Sequence, residues 1–257
     1  MRKFWLLLMV TLALAGGAGW WFRVPLAQWW GEKMTGIKLA SSPKFHPDPK
    51  TYAVLISELE RWRVGLAKRH AAATTPTERK AALHDARVIL EQALPAMMRC
   101  WLGTPWDFHG TASTPGGGQI ACGYFVSTVL RDAGFKVDRY QLAKQPSENI
   151  LRSFLPRASC ILTIGQEYGA FAAVVESADP GIYLVGLDTH VAFLVVQPDG
   201  FRMIHSSGSQ PWCVVDESRN DAHVLQKSNW RMLGNLTRDP QVLKHWLKAE
   251  KIVVRGN

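Results

Sequence analysis

Residues Leu102–Phe135 read LGTPWDFHGTASTPGGGQIACGYFVSTVLRDAGF. A turn-rich polar stretch ends at Cys122, and a helix-patterned apolar run begins directly after it. Val126, Val129 and Leu130 fall at helical spacing, and Gly134 is placed to stop the helix. A cysteine at that junction sits on a helix N-terminus, where free N–H groups and the positive dipole end favour a thiolate. That environment turns a weak nucleophile into a strong one near neutral pH. The competing reading of this segment alone is a buried cysteine opening an ordinary core helix.

A second segment, Gly186–Gly208, reads GLDTHVAFLVVQPDGFRMIHSSG. Two apolar runs, Val191–Val196 and Phe201–Ile204, flank Gln197-Pro198-Asp199-Gly200, which predicts a β-hairpin. His190 opens the first strand and His205 closes the second, so the hairpin brings two imidazoles together. Nucleophile, base and base-orienter are the three parts of thiol catalysis.

The order of these segments resembles the NlpC-type cell-wall peptidases, papain-like cysteine enzymes of bacteria. That family shows G-T-P-Y-x-x-G-G, then D-C-S-G-F at a helix start, then H-V-G-I-Y and a closing strand with a second histidine. The corresponding residues here are Gly103-Thr104-Pro105-Trp106-Asp107-Phe108-His109-Gly110, Ala121-Cys122-Gly123-Tyr124-Phe125, His190-Val191-Ala192-Phe193-Leu194 and Met203-Ile204-His205. The resemblance implies Cys122 as nucleophile, His190 as general base and His205 as the residue that orients it. Trp106, Asp107, Gly123, Tyr124 and Asp188 are then the substrate-binding candidates. Trp106 replaces the family's tyrosine and offers a donor without an acceptor. Ala121 replaces the acidic residue before the cysteine, Gly123-Tyr124 replaces Ser-Gly, and the long stretch between Phe135 and Gly186 implies an insertion. Asp188, two residues before His190, competes with His205 for the orienting role because alternation along a strand puts both on one face.

His109 precedes the nucleophile in a loop, as a cleft residue or a solvated one. Cys100, Cys160 and Cys213 lack the helix-start context, and with Cys122 kept as a thiol they allow one disulfide. Neither C-x-x-C nor H-E-x-x-H occurs, so zinc chemistry has little support. There is no P-loop or dinucleotide fingerprint, and no cofactor is expected.

Arg2 and Lys3 precede an uncharged, mainly apolar run, Phe4–Phe22, that ends in Trp20-Trp21-Phe22. This predicts a signal peptide, with Ala13-Leu14-Ala15 at the cleavage point, or an uncleaved anchor, since about twenty residues cross a bilayer. Either places the catalytic part outside the cytoplasm, in the periplasm or envelope. The net charge of +9 suits a solvated surface, or attraction to anionic envelope polymers and headgroups. The scattered basic residues speak against nucleic acid.

The expected division is a signal peptide or anchor over 1–23, a linker over 24–50, a helical extension over 51–101 and a papain-like catalytic domain over 102–257. Thr51–His70 carries a helical stripe of Leu55, Ile56, Leu59, Trp62 and Leu66. Thr77–Trp101 is a second helix, with Thr77 as its cap and Pro95 kinking or ending it. Further helices are expected at Ser147–Leu155, capped by Ser147, at Ala170–Ala178 and at Pro240–Lys251. Further strands are expected at Ile182–Val185, Cys213–Val215 and Trp230–Leu233. Helices first and strands later give an α+β fold with a mostly antiparallel sheet, and the resemblance adds the papain-like arrangement of a nucleophile helix packed on that sheet. The expected activity is an exported cysteine hydrolase cleaving an amide, in peptidoglycan stem peptides by the resemblance, through a Cys122 thioester. The alternatives are acyl transfer or hydrolysis of a non-wall amide, and an envelope-binding module whose site has decayed.

Overall fold

The computed structural model describes residues 46–256. The apolar run Phe4–Phe22 and nearly all of the 24–50 linker lie outside the described residues, as does the expected export signal. Among the described residues no helix is long and apolar enough to cross a membrane.

Two long helices come first. Helix α1 (Pro49–Ala72) starts where Asp48 Oδ1 accepts from the Thr51 amide at 2.9 Å, with proline preset for the first turn. Helix α2 (Pro76–Arg99) is capped two residues before the expected position. Thr75, not Thr77, closes a reciprocal capping box with Glu78. Pro95 sits inside α2 without ending it. Its missing N–H costs one helical bond, while the residue itself is buried with Ala93, Leu94, Met97 and Met98 around it.

After a loop comes α3 (Cys122–Asp132), ended by Gly134 at φ 96°, as its sequence implies. Next follow β1 (Lys136–Val137), α4 (Arg139–Ala143), α5 (Ser147–Phe154), β2 (Cys160–Ile164) and α6 (Tyr168–Glu176). Ser147 lies in the first turn of α5 and does not cap it. Its hydroxyl donates to the Leu187 carbonyl at 2.9 Å and ties α5 to the sheet. Strands β3 (Gly181–Leu187), β4 (Val191–Gln197), β5 (Gly200–Ser206) and β6 (Val214–Ser218) follow, then α7 (His223–Lys227), β7 (Trp230–Asn235), α8 (Pro240–Lys248) and β8 (Lys251–Ile252). The last helix stops three residues short of expectation because Ala249 turns left-handed (φ 50°) and frees Lys251–Ile252 to pair in parallel with β1.

The fold is α+β. Its main sheet has the order β2-β7-β3-β4-β5-β6, with every neighbouring pair antiparallel. β3 and β4 are buried along almost their whole length, as strands covered on both faces must be. On one face Phe171, Ala172 and Val175 of α6 and Leu225 of α7 pack with Val185, Leu194 and Met203. On the other face lies α3. Its Phe125 ring meets Phe193 of β4 edge-on at 6.0 Å and Trp101 at 6.1 Å, and Trp101 in turn meets Tyr52 of α1 at 5.6 Å. This column of rings clamps the cysteine-bearing helix between the long helices and the sheet, each T-shaped pair adding about 0.5–1.5 kcal/mol to area burial.

Phe125 is wholly buried in that column. Phe125→Ala is therefore expected to destabilise the protein by about 3–5 kcal/mol in urea titration; a loss under about 1 kcal/mol would contradict the clamp.

Candidate active site

Cys122 is the first residue of α3, mostly buried. The preceding Ala121 is extended (φ −80°, ψ 160°) and gives no side-chain cap, so the first amides of the helix keep no protein acceptor from that side. The loop leading in is pinned at both ends. The Ile120 amide donates to the Pro105 carbonyl at 2.9 Å, Ala121 donates to Gly110 at 2.9 Å, and Ser206 Oγ donates to the Ile120 carbonyl at 2.6 Å. Gly123 is required by close approach, because a Cβ there would lie 2.4 Å from the Ala143 carbonyl oxygen.

The β4–β5 register ends at Phe193–Ile204, two residues short of the start of β4. The Val191 amide is left to act on the Cys122 thiol instead, and with the amides of Gly123 and Cys122 it favours the ionised form. Val191 is the residue that follows His190. No direct hydrogen bond joins Cys122 to His190 among the described residues.

His190 and His205 do meet. His190 Nε2 lies 2.8 Å from His205 Nδ1, with the rings perpendicular. His205 is 1 % exposed, and its other nitrogen, Nε2, lies 2.9 Å from Glu217 Oε2 on β6. The row His190–His205–Glu217 leaves Nδ1 of His190 as the ring atom without a bond inside the row. Glu217 was not foreseen, because the expected strand stopped at Val215. Carrying the strand two residues further, with its alternation, would have put Glu217 on the side of Val215, which pairs with His205.

Burial, and after it the electrostatic influence of His205, holds His190 well below the usual histidine range, so its imidazole is neutral at pH 7. Burial also pushes the Cys122 thiol up, against the Val191, Gly123 and Cys122 amides that pull it down. The helix-start expectation of a thiolate is therefore corrected: desolvation outweighs the amides, and the resting group is the thiol. The other three cysteines are raised as well, Cys100 to about 12, and all four are free, so the disulfide allowed by the sequence is not formed.

The remaining candidates separate. The Trp106 indole packs on Gly208, just beyond His205, and meets Trp212 at 5.4 Å. Asp107 accepts from the His109 amide at 2.8 Å and shapes its own turn. Tyr124 turns toward α4, with its ring 6.0 Å from Tyr140 and the Arg139 guanidinium 5.0 Å from its centre. Asp188 is committed elsewhere: it accepts from Ser228 Oγ at 2.5 Å and from the Asn229 and Trp230 amides at 2.8 and 3.0 Å. His109 is exposed and stacks edge-on with Phe108. No group of metal-ligating side chains assembles among the described residues.

No family model, curated protein or solved structure matches this chain.

Asp188 is held below the usual carboxylate range by Ser228 first and then by the two amides. A carboxylate depressed on folding stabilises the protein above its unfolded value, about 3.9, and loses that contribution as pH falls through the folded value. Asp188→Asn is expected to lower the urea midpoint at pH 7, with the gap to the parent closing toward pH 3 and Cys122 reactivity kept. An equal gap at both pH values would contradict this assignment.

Proposed function

We propose that the protein is a cysteine hydrolase of papain-like type that cleaves an amide through a Cys122 thioester. The observation that carries the reading is the pairing of His190 Nε2 with His205 Nδ1, which leaves Nδ1 of a neutral imidazole next in sequence to Val191, whose amide favours the ionised Cys122 sulfur. The resemblance in the cysteine and histidine segments supports the same roles.

Because both groups are neutral at rest, the step is general-base catalysis and not attack by a preformed ion pair. As the S–C bond forms, the thiol proton passes to His190 Nδ1 and the carbonyl electron pair moves onto oxygen. The amides at the start of α3 are the donors for that oxyanion, in a site where burial strengthens each of them. The C–N bond then breaks and His190 protonates the leaving amine. Water attacks the thioester, gives its proton to His190, and the C–S bond breaks as the thiol is restored.

The substrate we favour is a stem peptide of peptidoglycan. An apolar N-terminal run behind Arg2 and Lys3 suits export, and a net charge of +9 suits an anionic envelope. One observation favours a second reading, an amide bearing an apolar group. Phe108 is 73 % exposed, and Trp212, which meets the Trp106 ring that packs on Gly208 just after β5, is 52 % exposed.

The test is digestion of purified peptidoglycan fragments and of a fatty-acyl amide by the full chain, with products read by mass spectrometry. Release of stem-peptide pieces that Cys122→Ala abolishes is the expected result. Cleavage of the acyl amide alone would favour the second reading, and undiminished release by Cys122→Ala would overturn the mechanism.

A further inference from the structure

The row behind the sulfur has a polarity, and one residue determines it. An ionised carboxylate only accepts hydrogen bonds, so Glu217 requires a proton on His205 Nε2. A neutral His205 then presents a lone pair at Nδ1, and His190 must donate to it from Nε2 across the 2.8 Å contact. A neutral His190 that donates from Nε2 has its lone pair at Nδ1, the only arrangement in which it can take the Cys122 proton.

A second proton entering the row reverses that order. Placed on His205, it sits against the Glu217 carboxylate, and both ring nitrogens of His205 become donors. His190 Nε2 must now accept, its proton moves to Nδ1, and no lone pair remains for the thiol. The charged and titratable groups around the pair are few. His190 comes from the turn just before β4, Glu217 from β6 and Cys122 from α3. Asp216, the neighbour of Glu217 on β6, alternates to the other side, where Arg202 of β5 and Arg99 of α2 hold it at 2.5 and 2.8 Å. The carboxylate facing His205 is thus Glu217 alone among the groups hydrogen-bonded to it. His205 is buried and Glu217 mostly so, which limits screening of their interaction by solvent.

Resting on the reading of Cys122 as nucleophile and His190 as base, we propose that Glu217 is a positioning residue that fixes the His190 tautomer, and that the site is switched off in acid by protonation of His205 against Glu217. Inactivation in acid then belongs to the His205–Glu217 pair and not to the base itself. The switch moves protons only: one enters from water, one shifts from His190 Nε2 to Nδ1, and no bond between heavy atoms changes.

The experiment is the pH–rate profile of Cys122 alkylation by an uncharged electrophile, on the full chain, for the parent, Glu217→Gln, Glu217→Leu and His190→Ala. Glutamine keeps an acceptor for His205 Nε2 but removes the charge. Its acid limb is expected about one to two pH units lower than the parent's, whatever the plateau height. Leucine offers no acceptor and frees the His205 tautomer, so its plateau should fall about tenfold or more below that of Glu217→Gln. A purely structural role for Glu217 leaves the midpoint of the acid limb in place for every variant that folds, and that result in Glu217→Gln would overturn the inference. A parent profile with no acid limb, matched by His190→Ala, would overturn the reading of the site as well.

Discussion

The constraint on which the site depends is the meeting of the Cys122 helix start with the first residue of β4, whose Val191 amide favours the ionised sulfur. In an unbroken sheet that amide would belong to β5, and the cysteine would be one more buried thiol under the strands. The β4–β5 register ends at Phe193–Ile204, and Ser206 bonds instead to the Ile120 carbonyl on the way into α3. The end of β5 is therefore stitched to the helix start, while the first amide of β4 is left to act on the sulfur. The ring column Tyr52–Trp101–Phe125–Phe193 holds α3 at the depth where this contact can form. Packing at the back of the helix fixes the position of the atom at its front.

Burial sets the protonation of the pair. It raises the thiol and lowers the imidazole, so each change favours the neutral form. Hydrogen bonds to an ionised group are worth about 1.5–3 kcal/mol each, and the amides of Val191, Gly123 and Cys122 favour charge at the site. They do not make a thiolate at rest. Their use is to stabilise negative charge once it develops, which is where fixed donors in a dry site contribute most to rate. A neutral nucleophile beside a neutral base is consistent with that division of labour, and the carboxylate of Glu217 lies two bonds away to compensate the cation that appears on the imidazoles.

Much of this was legible in the sequence, and the gaps have physical causes. The helix at Cys122 and the hairpin that joins His190 to His205 carry strong periodicity, and a four-residue turn leaves little freedom in how they pair. The cap of α2 was misplaced by two residues because Thr75 and Thr77 flank Pro76, and only the reciprocal bond with Glu78 separates them. Alternation predicts Asp188 and His190 on one strand face, but both lie in the turn between β3 and β4, and Ser228 and two amides from a segment forty residues away claim the Asp188 carboxylate. No local pattern carries that information. Glu217 escaped for a related reason: the opposite fates of Asp216 and Glu217, one on arginines and one on His205, are decided by partners on other elements. Strand β2 was missed altogether, since CILTI follows a proline turn with no alternation and pairs only with β7, far along the chain.

The most direct test of the central claim is whether His190 governs the chemistry of Cys122. The rate of Cys122 alkylation by a neutral electrophile, followed by peptide mass mapping in the parent and in His190→Ala, separates the two cases. If His190 is the base, the parent rate should be flat through neutral pH, and the alanine variant should be slower and rise steadily with pH toward the range of a buried thiol. Superimposable profiles in the two proteins would contradict the account.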